Sequence, residues 1–258
     1  VGGKHEFDTE PRGLSDGPLP RVGPPLLTRR GPGPPHAEMP EIYKLRVAPD
    51  RAKLAEKHGA TAQTEKAVKA ALRWLAASQE ADGRWDARRH GAGRELMVAD
   101  RDRKAAGIRA DTGVTGLALL AFLASGHTHL EGEYQPNVRR GLEYLLRQQA
   151  SDGNLGGQAT TFAFMYCHAM ATFAVSEAYA MTKDEQLQEP VRRAVAYTLA
   201  AQNQTSGGWR YKPGDPGDTS QLGWQLMALK SADLGGIPIP RRTQQGIHRF
   251  LNSASSGQ

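Results

Sequence analysis

The chain has 258 residues, enough to bury a sizeable core in one or two domains. Its net charge is +6, but its 33 Lys and Arg are scattered among 27 Asp and Glu rather than gathered into a stripe, so it carries no nucleic-acid footprint. One cysteine, Cys167, excludes an internal disulfide, and the longest strongly apolar run, VTGLALLAFLA from Val114, is too short to span a bilayer.

In chain order, the prolines come first: ten of the sixteen fall within the first fifty residues. Proline fixes φ and removes a donor, so residues 1–58 read as a Pro/Gly-rich linker, largely disordered. The first helical pattern is AVKAALRWLAASQ at 67–79, and it recurs as NVRRGLEYLLRQQ at 137–149 and PVRRAVAYTLAAQ at 190–202. Val68, Val138 and Val191 fall in register, as do Leu72, Leu142 and Val195, the aromatic residues Trp74, Tyr144 and Tyr197, and the closing glutamines Gln79, Gln149 and Gln202. The offsets are 70 and then 53 residues, and a further 53 reaches Phe250 in a fourth copy. Apolar residues at i, i+4 and i+7 with Lys or Arg between them predict amphipathic helices with one buried stripe. Arg139, Arg140, Arg192 and Arg193 are expected on their solvent faces.

Between these lie segments apolar nearly all round, at 111–126, 164–182 and 218–236, which predict enclosed helices. Asp111 and Asp218 precede them as expected N-caps, and Gly126 and Gly235 suit their C-terminal stops. The first repeat is longer by 17 residues, a charge-rich insertion containing Asp100 and Asp102 that reads as a solvated loop, with a lid as the functional alternative. His127–His129 follows a helix stop and reads as a surface turn. The alternation of amphipathic and enclosed helices predicts an all-α repeat: about three helix pairs and the start of a fourth over 59–258, behind the extended Pro-rich segment.

A phrase of glutamine, a short gap, glycine, one residue and tryptophan closes the repeats. It reads Gln79–Gly83–Trp85 and Gln202–Gly207–Trp209, while the middle copy keeps Gln149 and Gly153 but has Leu155 for tryptophan. With the helix period, this phrase resembles the QW motif of the terpene cyclase and protein prenyltransferase superfamily, including squalene–hopene cyclases. The resemblance covers about residues 60–258. It implies an incomplete α/α toroid in which the QW motif is a structural clasp: the glutamine ties a helix end to its neighbour and the indole stacks over it. It also implies that further helix pairs belong to a longer parent protein, whose segments are the expected partners and set a compartment that is either cytoplasmic or membrane-associated.

The family's cyclisation acid is the middle aspartate of an Asp-x-Asp-Asp-Thr element opening an inner helix. IRADT (108–112) keeps only Asp111 and Thr112, and DPGDT (215–219) keeps Asp215, Asp218 and Thr219 with glycine at the acid's place. The third inner helix has Phe164 where the others have aspartate. Asp215, Asp218 and His168 are the remaining catalytic candidates. Prenyltransferase zinc is held by aspartate, cysteine and histidine, but adjacent helical residues diverge by about 100°, which argues against Cys167 and His168 sharing a metal. The family's Asp-x-Cys element is absent, so no cofactor is expected, zinc at this pair being the alternative. Phe162, Phe164, Tyr166, His168 and Met170, with Trp224, are candidates to line an apolar cavity for an isoprenoid or other lipid, set against ordinary helix–helix core. Two readings follow: a non-catalytic repeat domain that acts as scaffold or binds an apolar ligand, or a fragment of a cyclase or prenyltransferase whose catalytic residues lie elsewhere.

Overall fold

The computed structural model describes Leu27 and residues 39–94, 96–98 and 100–255. The amphipathic patterns form outer helices α3 (Ala62–Ala77), α5 (Gln135–Gln148), α7 (Glu185–Ala200) and α9 (Arg241–Ser255). The enclosed patterns form inner helices α4 (Asp111–Ala124), α6 (Thr161–Thr182) and α8 (Thr219–Leu234). Helix α6 lies between α4 and α8, and the outer helices pack on this inner layer. The result is an all-helical array of α/α pairs of the toroid type. The one exception among the described residues is a two-residue antiparallel ladder inside the insertion, β1 (Met97–Val98) with β2 (Arg101–Asp102).

Composition explains how tightly the inner layer closes. Helix α6 is 22 residues long and buries Ala169, Ala171, Ala174 and Ala178 completely, so its neighbours approach its backbone. On α4, a Cβ at Gly116 would stand 2.7 Å from the Met170 carbonyl oxygen, and one at Gly113 3.0 Å from Cys167 Sγ. Both glycines are there for close approach.

Three helix boundaries differ from the sequence reading. Asp218 caps α8 as expected, accepting from Gln221 N at 2.8 Å. Asp111 does not cap α4; its carboxylate accepts instead from Ala87 N, at 2.9 Å, on another element. The stop after α8 is Gly236, at φ +92°, because Gly235 still has right-handed backbone. Helix α7 begins five residues before Pro190, held by Asp184, whose side chain accepts from Gln186 N.

Residues 41–57, expected as linker, are helical: α1 (Glu41–Val47) and α2 (Arg51–Lys57). Prolines 40 and 49 bound α1 rather than interrupt it. Tyr43, only 2% exposed, anchors α1 on the inner layer: its hydroxyl donates to Glu177 Oε1 at 3.0 Å, while Arg46 pairs with Glu177 Oε2. Ser231 of α8 also donates to Glu177, at 3.2 Å. Burial pushes the Tyr43 hydroxyl up to about 12, so it stays a donor at neutral pH. The rest of the expected linker, 1–26 and 28–38, lies outside the described residues.

The His127–His129 turn is buried rather than superficial. His129 is 2% exposed and its Nε2 lies 3.0 Å from Asp184 Oδ2. Burial alone would raise the Asp184 carboxyl, but hydrogen bonds from His129 and Gln186 bring it down to about 2.

Candidate functional site

The three QW segments share one geometry. After each outer helix the chain turns through a glycine with positive φ: Gly83 at +96°, Gly153 at +94° and Gly207 at +83°. A Cβ at any of them would strike a backbone carbonyl of the next outer helix, that of Arg140, Arg193 or Gly246. The preceding glutamine amide then bridges two carbonyls. Gln79 Nε2 donates to Gly83 O at 2.8 Å and Asn137 O at 3.0 Å. Gln149 Nε2 donates to Gly153 O and Pro190 O, at 3.2 and 2.9 Å. Gln202 Nε2 donates to Gly207 O and Thr243 O, at 2.8 and 3.2 Å. Asn137, Pro190 and Thr243 follow one another at intervals of 53 residues, so the sequence register is the structural one.

The indoles lock these joints from inside. Trp85 and Trp209 are 1% and 0% exposed, and their Nε1 atoms donate to Leu75 O at 2.9 Å and Thr198 O at 2.8 Å. Two of the arginines expected on solvent faces serve the joints. Arg140 donates to Gln79 Oε1 at 2.8 Å, and Arg193 to Ala150 O at 2.6 Å.

The middle joint lacks the indole, and His168 serves in its place. Leu155 is fully buried, and its backbone N–H donates to His168 Nδ1 at 3.0 Å. In the first joint the Trp85 N–H donates to Thr115 Oγ1, and Thr115 stands 53 residues before His168. A backbone N–H can only donate, so Nδ1 is the acceptor and Nε2 carries the proton, 2.8 Å from Thr198 Oγ1. Burial drives the His168 imidazole down to about 3, so it is neutral at physiological pH. Both ring nitrogens are committed and none faces a cavity.

The other expected site residues scatter. Asp218 is a helix cap, and Asp215 folds back on Lys212 N at 3.0 Å in a loop. Cys167 is buried, and burial raises its thiol to about 11, an inert form. Its helix neighbour His168 is turned into the middle joint, so the two do not converge on a metal. Among the described residues, no group of three or more His, Cys, Asp or Glu could hold a metal ion.

A cleft of about 370 Å³ does form between α4 and α6. Gly113, Val114 and Leu117 line it from α4, and Phe162, Ala163, Tyr166, Cys167 and Met170 from α6. Phe162, Tyr166 and Met170 were expected there. Phe164 packs on Gly156 instead, and Trp224 is half-buried away from the lining. The insertion supplies Arg103, Ala106 and Gly107 to the remaining wall, which Ala110 completes just before α4, so it covers part of the cleft as well as meeting solvent. Ala110 immediately precedes Asp111 and Thr112 and stands where the family element has its middle aspartate. Asp111 turns away from the lining toward Ala87 N and Arg84; burial raises its carboxyl, the Asp86 charge adding to this.

Residues 52–167 match the family model of the squalene-hopene cyclase C-terminal domain, so this stretch is similar to that domain. No curated protein and no solved structure matches the chain. The match ends at Cys167, yet the third clasp repeats the geometry of the first.

Proposed function

We propose that this squalene–hopene cyclase-like repeat domain binds an extended apolar ligand, an isoprenoid or another lipid, between α4 and α6, and performs no proton-initiated cyclisation with its own residues. The observation that carries this reading is Ala110: the position of the family's acid lines the cleft, and a methyl group occupies it. Alkene protonation needs a carboxylic acid kept protonated against the substrate, and the cleft lining contains no carboxylate. A largely apolar concave site of this size is suited to an acyl or prenyl chain. The QW clasps brace that cleft and do no chemistry. The remaining segments of the longer protein would complete the wall.

A neutral apolar probe, N-phenyl-1-naphthylamine, tests the binding half. The full chain should take it up saturably, and Leu117→Trp, which fills the cleft from a half-open position, should abolish uptake without lowering the melting temperature. Uptake unchanged by that variant would place the ligand elsewhere. The alternative reading, an enzyme whose acid comes from another segment, is motivated by the match to a cyclase domain. Cyclised product from squalene incubated with this chain alone would refute the non-catalytic half, and unchanged turnover after alanine at Asp215, Asp218 and His168 would remove those three as its source.

A further inference from the structure

The cleft is apolar on α4 and α6, and Arg103 is the only residue in its lining that is charged at neutral pH. Its guanidinium stands 5.0 Å over the Phe162 ring, and no carboxylate among the described residues pairs with it. The nearest acid in sequence, Asp102, turns its Oδ1 back to accept from Lys104 N at 2.7 Å. The backbone holds Arg103 in this place: its N–H donates to Leu96 O at 2.6 Å, and Lys104 and Ala105 follow with φ of +50° and +51°. Two successive non-glycine residues in the left-handed region are strained, and such strain persists only where surrounding structure imposes it.

We propose that the ligand of this cleft is an anionic amphiphile whose carboxylate or phosphate head is bound by Arg103 and whose chain runs between α4 and α6. The proposal rests on the reading of the cleft as an apolar-ligand site. A guanidinium stacked on a ring uses its face for that contact, and its in-plane N–H groups stay free for a planar or tetrahedral oxyanion. A pure hydrocarbon filling the cleft would strip water from Arg103 and give nothing in return, which is costly for a charged group. Past Phe162 the rim carries an ion pair rather than a second free cation: the ring meets Tyr211 edge-on at 5.1 Å, and Arg210, 5.1 Å over Tyr211, is paired with Asp218 at 3.8 Å.

The cleft, about 370 Å³ and open to solvent along one side, lies in the size range of small-molecule sites and suits a chain of medium length. The matched probes are therefore dodecanoate, dodecyl phosphate and dodecanol, each below its micellar concentration. Titrated calorimetrically into the full chain, both anions should bind about tenfold or more tighter than the alcohol, the scale of one charge-assisted hydrogen bond. Arg103→Gln should bring the anions down to the level of dodecanol and leave dodecanol itself unchanged. The tighter anion identifies the head as carboxylate or phosphate. Equal binding of dodecanol and the anions by the wild type overturns the head-group assignment and leaves the apolar site standing, as does anion binding that survives Arg103→Gln. Failure of all three probes to bind overturns the site as well.

Discussion

The first and third joints are closed by tryptophans, and the middle joint by a leucine and a histidine. The three nonetheless keep the same positive-φ glycine and the same glutamine amide bridging two carbonyls. What repeats is thus a pattern of two backbone acceptors, one in the turn after an outer helix and one in the next outer helix. The filling varies. An indole supplies volume and one donor, whereas Leu155 with His168 supplies less volume but an acceptor and a donor. The middle joint is also tied to the third through one residue. Thr198 Oγ1 takes His168 Nε2, and the Thr198 carbonyl takes the Trp209 indole.

Removing an indole is the harshest way to break this comparison. Trp209→Ala should destabilise by about 3–5 kcal/mol in urea denaturation, the cost of an unfilled aromatic site plus its cavity. Converting the middle joint sharpens the comparison. Leu155→Trp alone should cost about 1–3 kcal/mol through overpacking against His168. Leu155→Trp with His168→Thr, which recreates the Trp85–Thr115 arrangement, should cost less than the two single substitutions added, as a double-mutant cycle measures.

The histidine also makes the middle joint sensitive to acid. The folded His168 is near 3 and the unfolded one near its ordinary 6.5, so between these values the unfolded state binds the extra proton. Stability contributed by neutral His168 is therefore intact above pH 6.5 and falls as the pH drops toward 3. His127 is lowered by burial and acts in the same direction. Asp184 has the opposite chemistry but the same sense, losing its contribution only below the ordinary carboxylate range, toward pH 2. His168→Gln, a neutral polar replacement, should flatten the loss between pH 6.5 and 4 measured by urea midpoints and leave the loss below pH 4.

Smaller effects separate the glutamines. Gln202 is 6% exposed, and Gln202→Ala should cost about 1–3 kcal/mol by removing two buried amide hydrogen bonds, while Gln149→Ala, at a half-buried site, should cost less. Trp74 is 57% exposed on α3, and Trp74→Ala should change stability by less than about 0.5 kcal/mol.

Much of this was legible in the amino-acid pattern. The 53-residue register predicted the clasps because the same carbonyls recur at the same interval, and unbroken apolarity predicted the inner helices. Trp74 shows where register misleads: it aligns with buried Tyr144, yet it is 57% exposed and meets only the edge of the His90 ring, at 5.3 Å, among the described aromatic contacts. His168 was unreadable, since a histidine in an apolar run gives no sign of partners 13 and 30 residues away. Tyr43 and Glu177 are 134 residues apart, so proline content dominated the reading of α1. Arg103 lay in an insertion read as a solvated loop with a lid as the alternative, and its charge singled out no residue for the cleft. Its place on the cleft depends on two left-handed residues that a lysine and an alanine do not advertise.

The central claim is that the repeat joints are architecture and that His168 belongs to one of them, with no part in proton transfer. Nitrogen-15 NMR of the histidine side chains across pH 4 to 7.5 tests it directly. His168 should remain a neutral Nε2–H imidazole throughout that range, its Nδ1 showing the shift of a hydrogen-bond acceptor. A His168 resonance that titrates with a midpoint near 6.5 would contradict the account.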